Sequence, residues 1–459
     1  MLKTRLLALG LWIIFTSYLS AMDTSFWVWQ RNTPLNKGEI EGLKNAGTKS
    51  LYWQVGTLEL RSSQWSWKER FSVPFPQLRT SAPFLHFVPV IRLELVKGEE
   101  FGPKDFSSLH SILEDIISST GADMLQIDYE SPDRVIPLYQ DFLRFLKQDG
   151  RAWKLSISAL GHWSKFANGF DGLTDEITPM FYDLNPSVEM MKGDFLPPLI
   201  DAQAEEKQIS AWKESKVPWK AGLPNFSRLS IVNLQGLNRG NVRHWVLDEI
   251  WFSPLLTPTH PTSEGETVFQ VMKKSIVANA LVGANEKLVI RYPELPSLIH
   301  LESVAKNSGA SGILFFRLGD DSDMSGYSVA ALQERTLPRS SPTLERSQSG
   351  CITLNNSGHD LMPRVSPSGV RGYSLELKAD TGSWREAIPG DFYKATTDPE
   401  GKHPLNDPVG LEVGTIYFWF SRLRSDQSLQ TGLLQYHSSQ PIYWHLPDLE
   451  DETSWHPLD

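Results

Sequence analysis

The sequence predicts an α/β chain: a (β/α)8 TIM-type barrel followed by an all-β, sandwich-like domain. Three observations carry this expectation. Between residue 22 and about residue 335, eight short apolar runs of strand character alternate with stretches of helical periodicity. From residue 351 onward the texture changes to short β runs separated by Asn-Ser-Gly, Pro-Ser-Gly and Ala-Asp-Thr-Gly. A chain of 459 residues also has room for one barrel and one smaller domain.

The first 21 residues read as a signal peptide, outside the fold. Lys3 and Arg5 precede an apolar run over residues 6–15, and small residues follow up to Ser20 and Ala21. The run is too short to favour a spanning helix. Leu19 stands where a small residue is preferred, so an uncleaved anchor is the alternative, and the one expected route to a membrane. Without Lys3 and Arg5 the charge balance moves from 44 − 54 = −10 to 42 − 54 = −12. An acidic exported chain with one cysteine, Cys351, has no disulfide scaffold. That suits a bacterial periplasmic or extracellular setting.

The barrel strands are expected at 26–30, 51–60, 84–95, 124–129, 154–160, 176–182, 220–224 and 312–318. A helix over 106–119 places Phe106, Leu109, Leu113, Ile116 and Ile117 on one face. A second over 135–147 does the same with Leu138, Phe142 and Phe145, after Asp133 as a cap signal. Residues 61–83 show no clear helix. Residues 225–310 read as an insertion between the seventh and eighth strands, plus the last helix. It carries an apolar run at 246–252, a helix at 268–282 and a strand at 287–292. Residues 336–350 are rich in Ser, Pro and Gly and read as a linker. The sandwich-like domain follows over 351–459, with β runs at 352–354, 373–377, 415–420, 432–436 and 442–445. No internal repeat is present.

Several function classes are disfavoured. No basic stripe stands out, so nucleic acid is not an expected partner. The histidines show no His-Glu-x-x-His, His-x-His or Cys-His spacing, so no metal is expected. Gly-x-Ser-x-Gly, a Walker loop and a dinucleotide fingerprint are absent, and no cofactor is expected. The 16 tryptophans tilt the reading only slightly towards carbohydrate, because aromatic rings fill cores more often than they stack on sugars.

The sharpest feature is Asp123-Met-Leu-Gln126-Ile-Asp128-Tyr-Glu130. Strand side chains alternate, so Gln126, Asp128 and Glu130 share one face, and Leu125, Ile127 and Tyr129 share the other. In a barrel the apolar set packs under helices and the polar set points inward. Charged groups are tolerated there at the open C-terminal mouth. Ser131-Pro132 ends the strand, which places both carboxylates at that mouth, about 6–7 Å apart along the strand. A like-charged neighbour and partial burial raise the pKa of one of them. One protonated acid beside one ionised carboxylate is what glycosidic cleavage requires. The plain alternative is a pair of solvated rim acids.

The run Asp123–Glu130 resembles the DxxDxDxE motif of the chitinase-like glycoside hydrolases of family 18. Three further stretches match in order: Met180-Phe-Tyr182-Asp183, Gly222-Leu-Pro224 and Gly312-Ile-Leu-Phe-Phe316 followed by Asp320 and Asp321. The resemblance implies Glu130 as general acid and Asp128 as the residue that orients the substrate's N-acetyl group. It implies Tyr182 as a brace for the substrate carbonyl, Asp183 as a sugar contact, and Asp123 as structural. The motif's middle Asp is Gln126 here. A Gln can hold Asp128 by a hydrogen bond but cannot share a proton with it. The family's sugar-floor Trp on the eighth strand is replaced by Phe315 or Phe316. Over nearly its whole length the chain also resembles a family of exported bacterial proteins known only as a domain of unknown function. The matching stretches are Val28-Trp-Gln-Arg31, Leu125–Glu130, Leu155–Leu160 and Leu314–Leu318. That family shares the Gln at position 126.

Trp27, Trp29, Arg31, Trp53, Arg92 and Arg317 lie on or beside barrel strands. Trp27 and Trp29 share one face; inward they would stack on a sugar, outward they would pack against helices. Arg92 with Glu94, and Arg317, would bind an anionic group or balance Asp128 and Glu130. His162, after the fifth strand, is either a ligand contact or a surface residue. The expected function is that of an exported glycoside hydrolase acting on an envelope or extracellular glycan. Its catalytic set would be Glu130, Asp128, Gln126 and Tyr182, with Trp27, Trp29, Arg92, Arg317 and Asp183 binding substrate. The alternatives are a non-catalytic glycan-binding protein and an envelope scaffold on the same fold.

Overall fold

The computed structural model describes residues 22–62, 64–148, 150–182, 196, 198–242, 245–260, 262, 265–319, 326–333, 342–347, 351–356, 358–386, 412–425, 427–431, 434–436, 441–450 and 454–458. The expected signal peptide lies outside the described residues.

All eight expected barrel strands form. They are β1 (Asp23–Val28), β2 (Ser50–Arg61), β3 (His86–Leu95), β4 (Met124–Asp128), β5 (Lys154–Leu160), β6 (Glu176–Met180), β7 (Lys220–Pro224) and β8 (Gly312–Phe316). Each pairs in parallel with the next, and β8 pairs with β1, so the barrel closes. Alternation divides the side chains. Phe26, Val28, Trp53, Leu125, Ile127, Leu155, Ile157, Ile313 and Phe315 face the helices. Trp27, Tyr52, Val88, Val90, Met124, Met180 and Leu314 fill the interior. Gly222 on β7 leaves room for this filling: a Cβ there would lie 3.1 Å from the Trp27 ring.

The helices are α1 (Lys37–Asn45), α2 (Phe75–Ser81), α3 (Phe106–Thr120), α4 (Ile136–Gln148), α5 (Ala202–Ser210), α6 (Leu247–Trp251), α7 (Leu295–Asn307) and α8 (Val329–Gln333). Asn36 and Glu39 form a reciprocal capping box that starts α1. Gly121, at φ 60°, ends α3, a position where a left-handed residue lets the chain turn away. The buried face of α3 is the expected one, although Ile117 is only half-buried. That of α4 is rotated: Ile136, Tyr139, Phe142, Leu143 and Leu146 are buried, while Leu138 and Phe145 are half-buried. The 136–139–143–146 spacing is the cleaner helical stripe, and Tyr139 packs edge-on against Tyr129 of the β4 outer face, ring centres 5.2 Å apart. Residues 61–83 hold a strand, Gln64–Arg70, that folds back antiparallel on β2, and then the short α2.

The 225–310 insertion is largely a five-stranded antiparallel sheet, in the order 238–242, 228–232, 287–291, 266–271 and 256–258. The helix expected at 268–282 does not form. Glu266–Val271 is a strand, and Ser275–Val277 pairs with Ala280–Val282 as a hairpin. Ala278 (φ 46°) and Asn279 (φ 64°) both take left-handed conformations, the geometry of a two-residue hairpin turn and one a helix cannot contain.

The C-terminal part is all β. Pro342–Arg346 pairs with Ile352–Asn356, which pairs with Ser428–Gln430. The first of these strands lies in the stretch expected to be a linker. A second sheet joins 412–420, 373–386, 442–445 and 456–458. Leu354, Leu375, Phe418, Leu423 and Leu446 belong to one core shared by the two sheets. Arg371 donates to the carbonyl oxygens of Trp251 and Ser253, each at 3.0 Å, and Val365 packs into the insertion's core. The two β regions are thus packed together. Among the described residues no helix is long and apolar enough to cross a membrane.

Candidate functional site

The site grows from β4. Leu125, Ile127 and Tyr129 face the helices as expected, with Tyr129 edge-on to Phe101 as well as Tyr139. Gln126 and Asp128 point into the barrel and are 0% and 6% exposed. Glu130 lies two residues past the strand end and is exposed. The two carboxyls sit in opposite environments: Asp128 is buried just under the mouth, and Glu130 is at the solvent.

Ser158, inward on β5, donates a 2.6 Å hydrogen bond to Asp128 Oδ1. Arg92 on β3 is the register partner of Asp128. Burial pushes the Asp128 carboxyl above the usual carboxylate range. The Ser158 bond and the Arg92 charge pull it back, and Glu94 adds to the rise. Arg92 also pairs with Glu94 at 3.2 Å, and Lys68 reaches the other Glu94 oxygen at 2.6 Å.

The structure corrects the role expected of Gln126. Its amide does not hold Asp128. The Trp27 indole N–H donates to Oε1 at 2.6 Å, and Nε2 donates to Ser156 Oγ at 3.0 Å and Thr178 Oγ1 at 3.3 Å. An indole N–H only donates, so the atom it meets must be the amide oxygen. Ser156 gives its own proton to Glu176 Oε1 at 3.0 Å. Its lone pairs are what face position 126, and they require a donor. An amide supplies one; a carboxylate does not.

Below Gln126 the interior holds a polar cluster that the sequence reading missed. Tyr52 OH donates to Glu176 Oε1 at 2.7 Å, Lys220 Nζ donates to Tyr52 OH at 2.8 Å, and Lys220 pairs with Glu176 Oε2 at 3.0 Å. Burial, with Glu176 beside it, raises the Tyr52 phenol well above its ordinary value. The signal was present: Tyr52, Ser156, Thr178 and Lys220 all stand at inward positions of their strands.

The mouth carries an aromatic wall centred on Phe316. Its ring lies 5.8 Å from Tyr182, nearly parallel, and edge-on to Trp29 (5.5 Å), Phe226 (5.7 Å) and Trp27 (6.0 Å). Phe316 is therefore the inward ring at the end of β8. Phe315 faces outward, against Phe26. Tyr182 is half-buried two residues past β6, while Phe181 is sealed in the outer core. Trp29 is half-buried at the mouth. Trp27 is 3% exposed, so the expectation that it binds sugar is corrected. Its ring has no open face, and its N–H is spent on Gln126.

Other expected residues have structural partners. Arg31 forms a two-pronged pair with Glu39, at 2.7 and 2.9 Å, beside the α1 cap. Trp53 is fully buried outside the barrel and donates to the Arg31 carbonyl. Asp123 pairs with His86 at 2.6 Å at the strand's N-terminal end, which lowers its pKa. Asp133 is held low by Lys165 and His162, which places His162 in a surface ion cluster. Arg317 is half-buried just past β8, where Asn225 binds its backbone carbonyl at 3.1 Å. Asp183, Asp320 and Asp321 lie outside the described residues. Among the described residues no three or more His, Cys, Asp or Glu side chains are placed to hold a metal.

No protein-family model and no curated protein matches the chain. Solved structures do. The Bacillus cereus spore cortex-lytic enzyme SleL aligns over 65% of this chain and 71% of its own, at 13% identity and a TM-score of 0.43. The C-terminal domain of a putative chitinase from Desulfitobacterium hafniense aligns over 65% and 94%, at 13% identity and a TM-score of 0.45. A chitinase from Bacteroides thetaiotaomicron aligns over 65% and 90%, at 14% identity and a TM-score of 0.42.

Proposed function

We propose that the C-terminal mouth of the barrel is the active site of an exported glycoside hydrolase acting on an envelope or extracellular glycan that contains N-acetylhexosamine. One observation carries the reading. Two carboxyls stand two residues apart at the end of one barrel strand, one buried on the interior side and one open to solvent.

Glu130 protonates the glycosidic oxygen as the C1–O bond breaks. The substrate's acetamido oxygen bonds to C1, and Asp128 orients that group and stabilises the charge it gains. Water then attacks C1, the bond from the acetamido oxygen breaks, and the water gives a proton to Glu130, which restores the acid. Tyr182 braces the acetamido group. Trp29, Tyr182 and Phe316 give the mouth an apolar wall on which a sugar ring can rest. Gln126 acts at one remove, by ordering the interior below Asp128. Export is part of the proposal and rests on the charge and apolar pattern of residues 1–21.

The test is mass spectrometry of a panel of peptidoglycan, chitin-type and exopolysaccharide oligomers incubated with the wild type and with Glu130→Gln. New reducing ends with the wild type alone support the reading. Equal cleavage by both proteins overturns it. The second reading, a binder without turnover, is favoured by the aromatic wall, which needs no carboxylate. Intact glycan retained equally by both proteins, and lost in Trp29→Ala, would establish that reading instead.

A further inference from the structure

We infer that Ser158 is a positioning residue of this site: it clamps Asp128 by one oxygen and so decides which oxygen is presented to a bound group. The inference deepens the hydrolase reading and rests on it for its link to catalysis.

Ser158 is 1% exposed on a central strand, between Ile157 and Ala159, which face the opposite side. Among the described residues its hydroxyl has one acceptor, Asp128 Oδ1 at 2.6 Å. The hydroxyl hydrogen therefore occupies Oδ1. When Asp128 carries a proton, the Ser158 hydrogen bond to Oδ1 is kept if that proton sits on Oδ2. Among the described residues nothing donates to Oδ2. The other polar groups nearby are committed elsewhere: Gln126 to Trp27, Ser156 and Thr178, and Arg92 to Glu94. Among the described residues this largely buried carboxyl thus has one oxygen held and the other left to meet a bound group. That oxygen donates when protonated and accepts when ionised, which suits a substrate amide that presents both C=O and N–H. In the resembled motif a neighbouring carboxyl stands at the position held here by Gln126. In this chain the hold on Asp128 has moved to the next strand.

Two readouts separate this inference from the hydrolase reading. The first needs no substrate: urea-unfolding midpoints from pH 4 to pH 8 for the wild type, Ser158→Ala, Ser158→Thr and the reference Asp128→Asn. Removing the donor should move the pH range over which Asp128 destabilises the fold upward. Ser158→Thr, which keeps the hydroxyl, should follow the wild type. Superimposed profiles for Ser158→Ala and the wild type would overturn the inference. The second readout is cleavage of a soluble N-acetylglucosamine tetramer. Ser158→Ala should lose kcat about tenfold to a hundredfold, the weight of one hydrogen bond to a charged group, with little change in KM. Ser158→Thr should restore it. If the wild type leaves the tetramer intact while Ser158→Ala still moves the titration, the hydrolase reading loses support on this substrate and the clamp stands. If the wild type cleaves and Ser158→Ala matches it in both readouts, the clamp falls and the hydrolase reading stands.

Discussion

Trp27 on β1 and Gln126 on β4 meet across the barrel interior, the indole N–H donating to the amide oxygen at 2.6 Å. The bond links residues 99 apart in the chain. It fixes the direction of the amide, and with it the donors that reach Ser156 and Thr178. It also accounts for two departures from expectation: Trp27 is not a sugar platform, and Gln126 is not a hand on Asp128.

Trp27→Phe keeps an aromatic ring, though a smaller one, and removes the N–H, leaving the buried Gln126 oxygen without that partner and a void beside it. The expected cost is ~1–3 kcal/mol of stability. Urea denaturation measures it. Glycan retention by the folded variant should match the wild type, whereas Trp29→Ala, at the open mouth, should weaken retention.

Gln126→Glu, nearly isosteric, sets a carboxylate against the lone pairs of Ser156. A buried group whose charged form is disfavoured has a raised pKa in the folded state. Stability is then fully present below the unfolded value and is lost as pH rises through the folded one. The variant should be destabilised by ~3 kcal/mol or more at pH 7, and its gap to the wild type should narrow towards pH 4. A constant gap across that range would count against the hydrogen-bond directions assigned here.

Asp128→Asn should be more stable than the wild type at neutral pH. The folded pKa of Asp128 is raised, chiefly by burial, so ionising it costs stability as pH climbs above the ordinary carboxylate value. Thermal midpoints should therefore differ most at pH 7–8 and converge near pH 4. The more stable variant should be the less active one, a trade common where a site holds an unfavourable charge.

Lys220→Met leaves the nearly buried Glu176 without its cation. Breaking such a pair costs ~3–5 kcal/mol, and the double variant Lys220→Met with Glu176→Gln should recover part of that. A double-mutant cycle on unfolding free energies gives the coupling directly.

Glu130→Gln should unfold at the same midpoint as the wild type, because the side chain is exposed and its amide is nearly isosteric. Its rate of glycan cleavage should fall ~100-fold or more, the usual weight of a positioned acid. A parallel loss of stability would assign Glu130 to the fold rather than to the chemistry.

What could be read locally was read from alternation. Each barrel strand is a short apolar run, and period two alone separates Leu125, Ile127 and Tyr129 from Gln126 and Asp128. That logic placed all eight strands and put Asp128 inside the mouth. It placed α3 by the same means, through its helical stripe. Where pattern was ambiguous it failed. The apolar stretch 268–282 suits a helix by composition, and the left-handed pair Ala278 and Asn279 made it a hairpin.

The partners of the inward side chains came only from closing the barrel. Tyr52 reaches Glu176 over 124 residues, and Ser158 reaches Asp128 over 30. No local spacing encodes these distances, because strands adjacent in the wall are separated by helices of arbitrary length. Closure also decides burial, which turned Trp27 from a candidate platform into a sealed donor and gave Asp128 and Glu130 opposite surroundings. A strand's own pattern sets which way a side chain points; the neighbours that share the enclosed space set what it meets there, and therefore its charge and its chemistry.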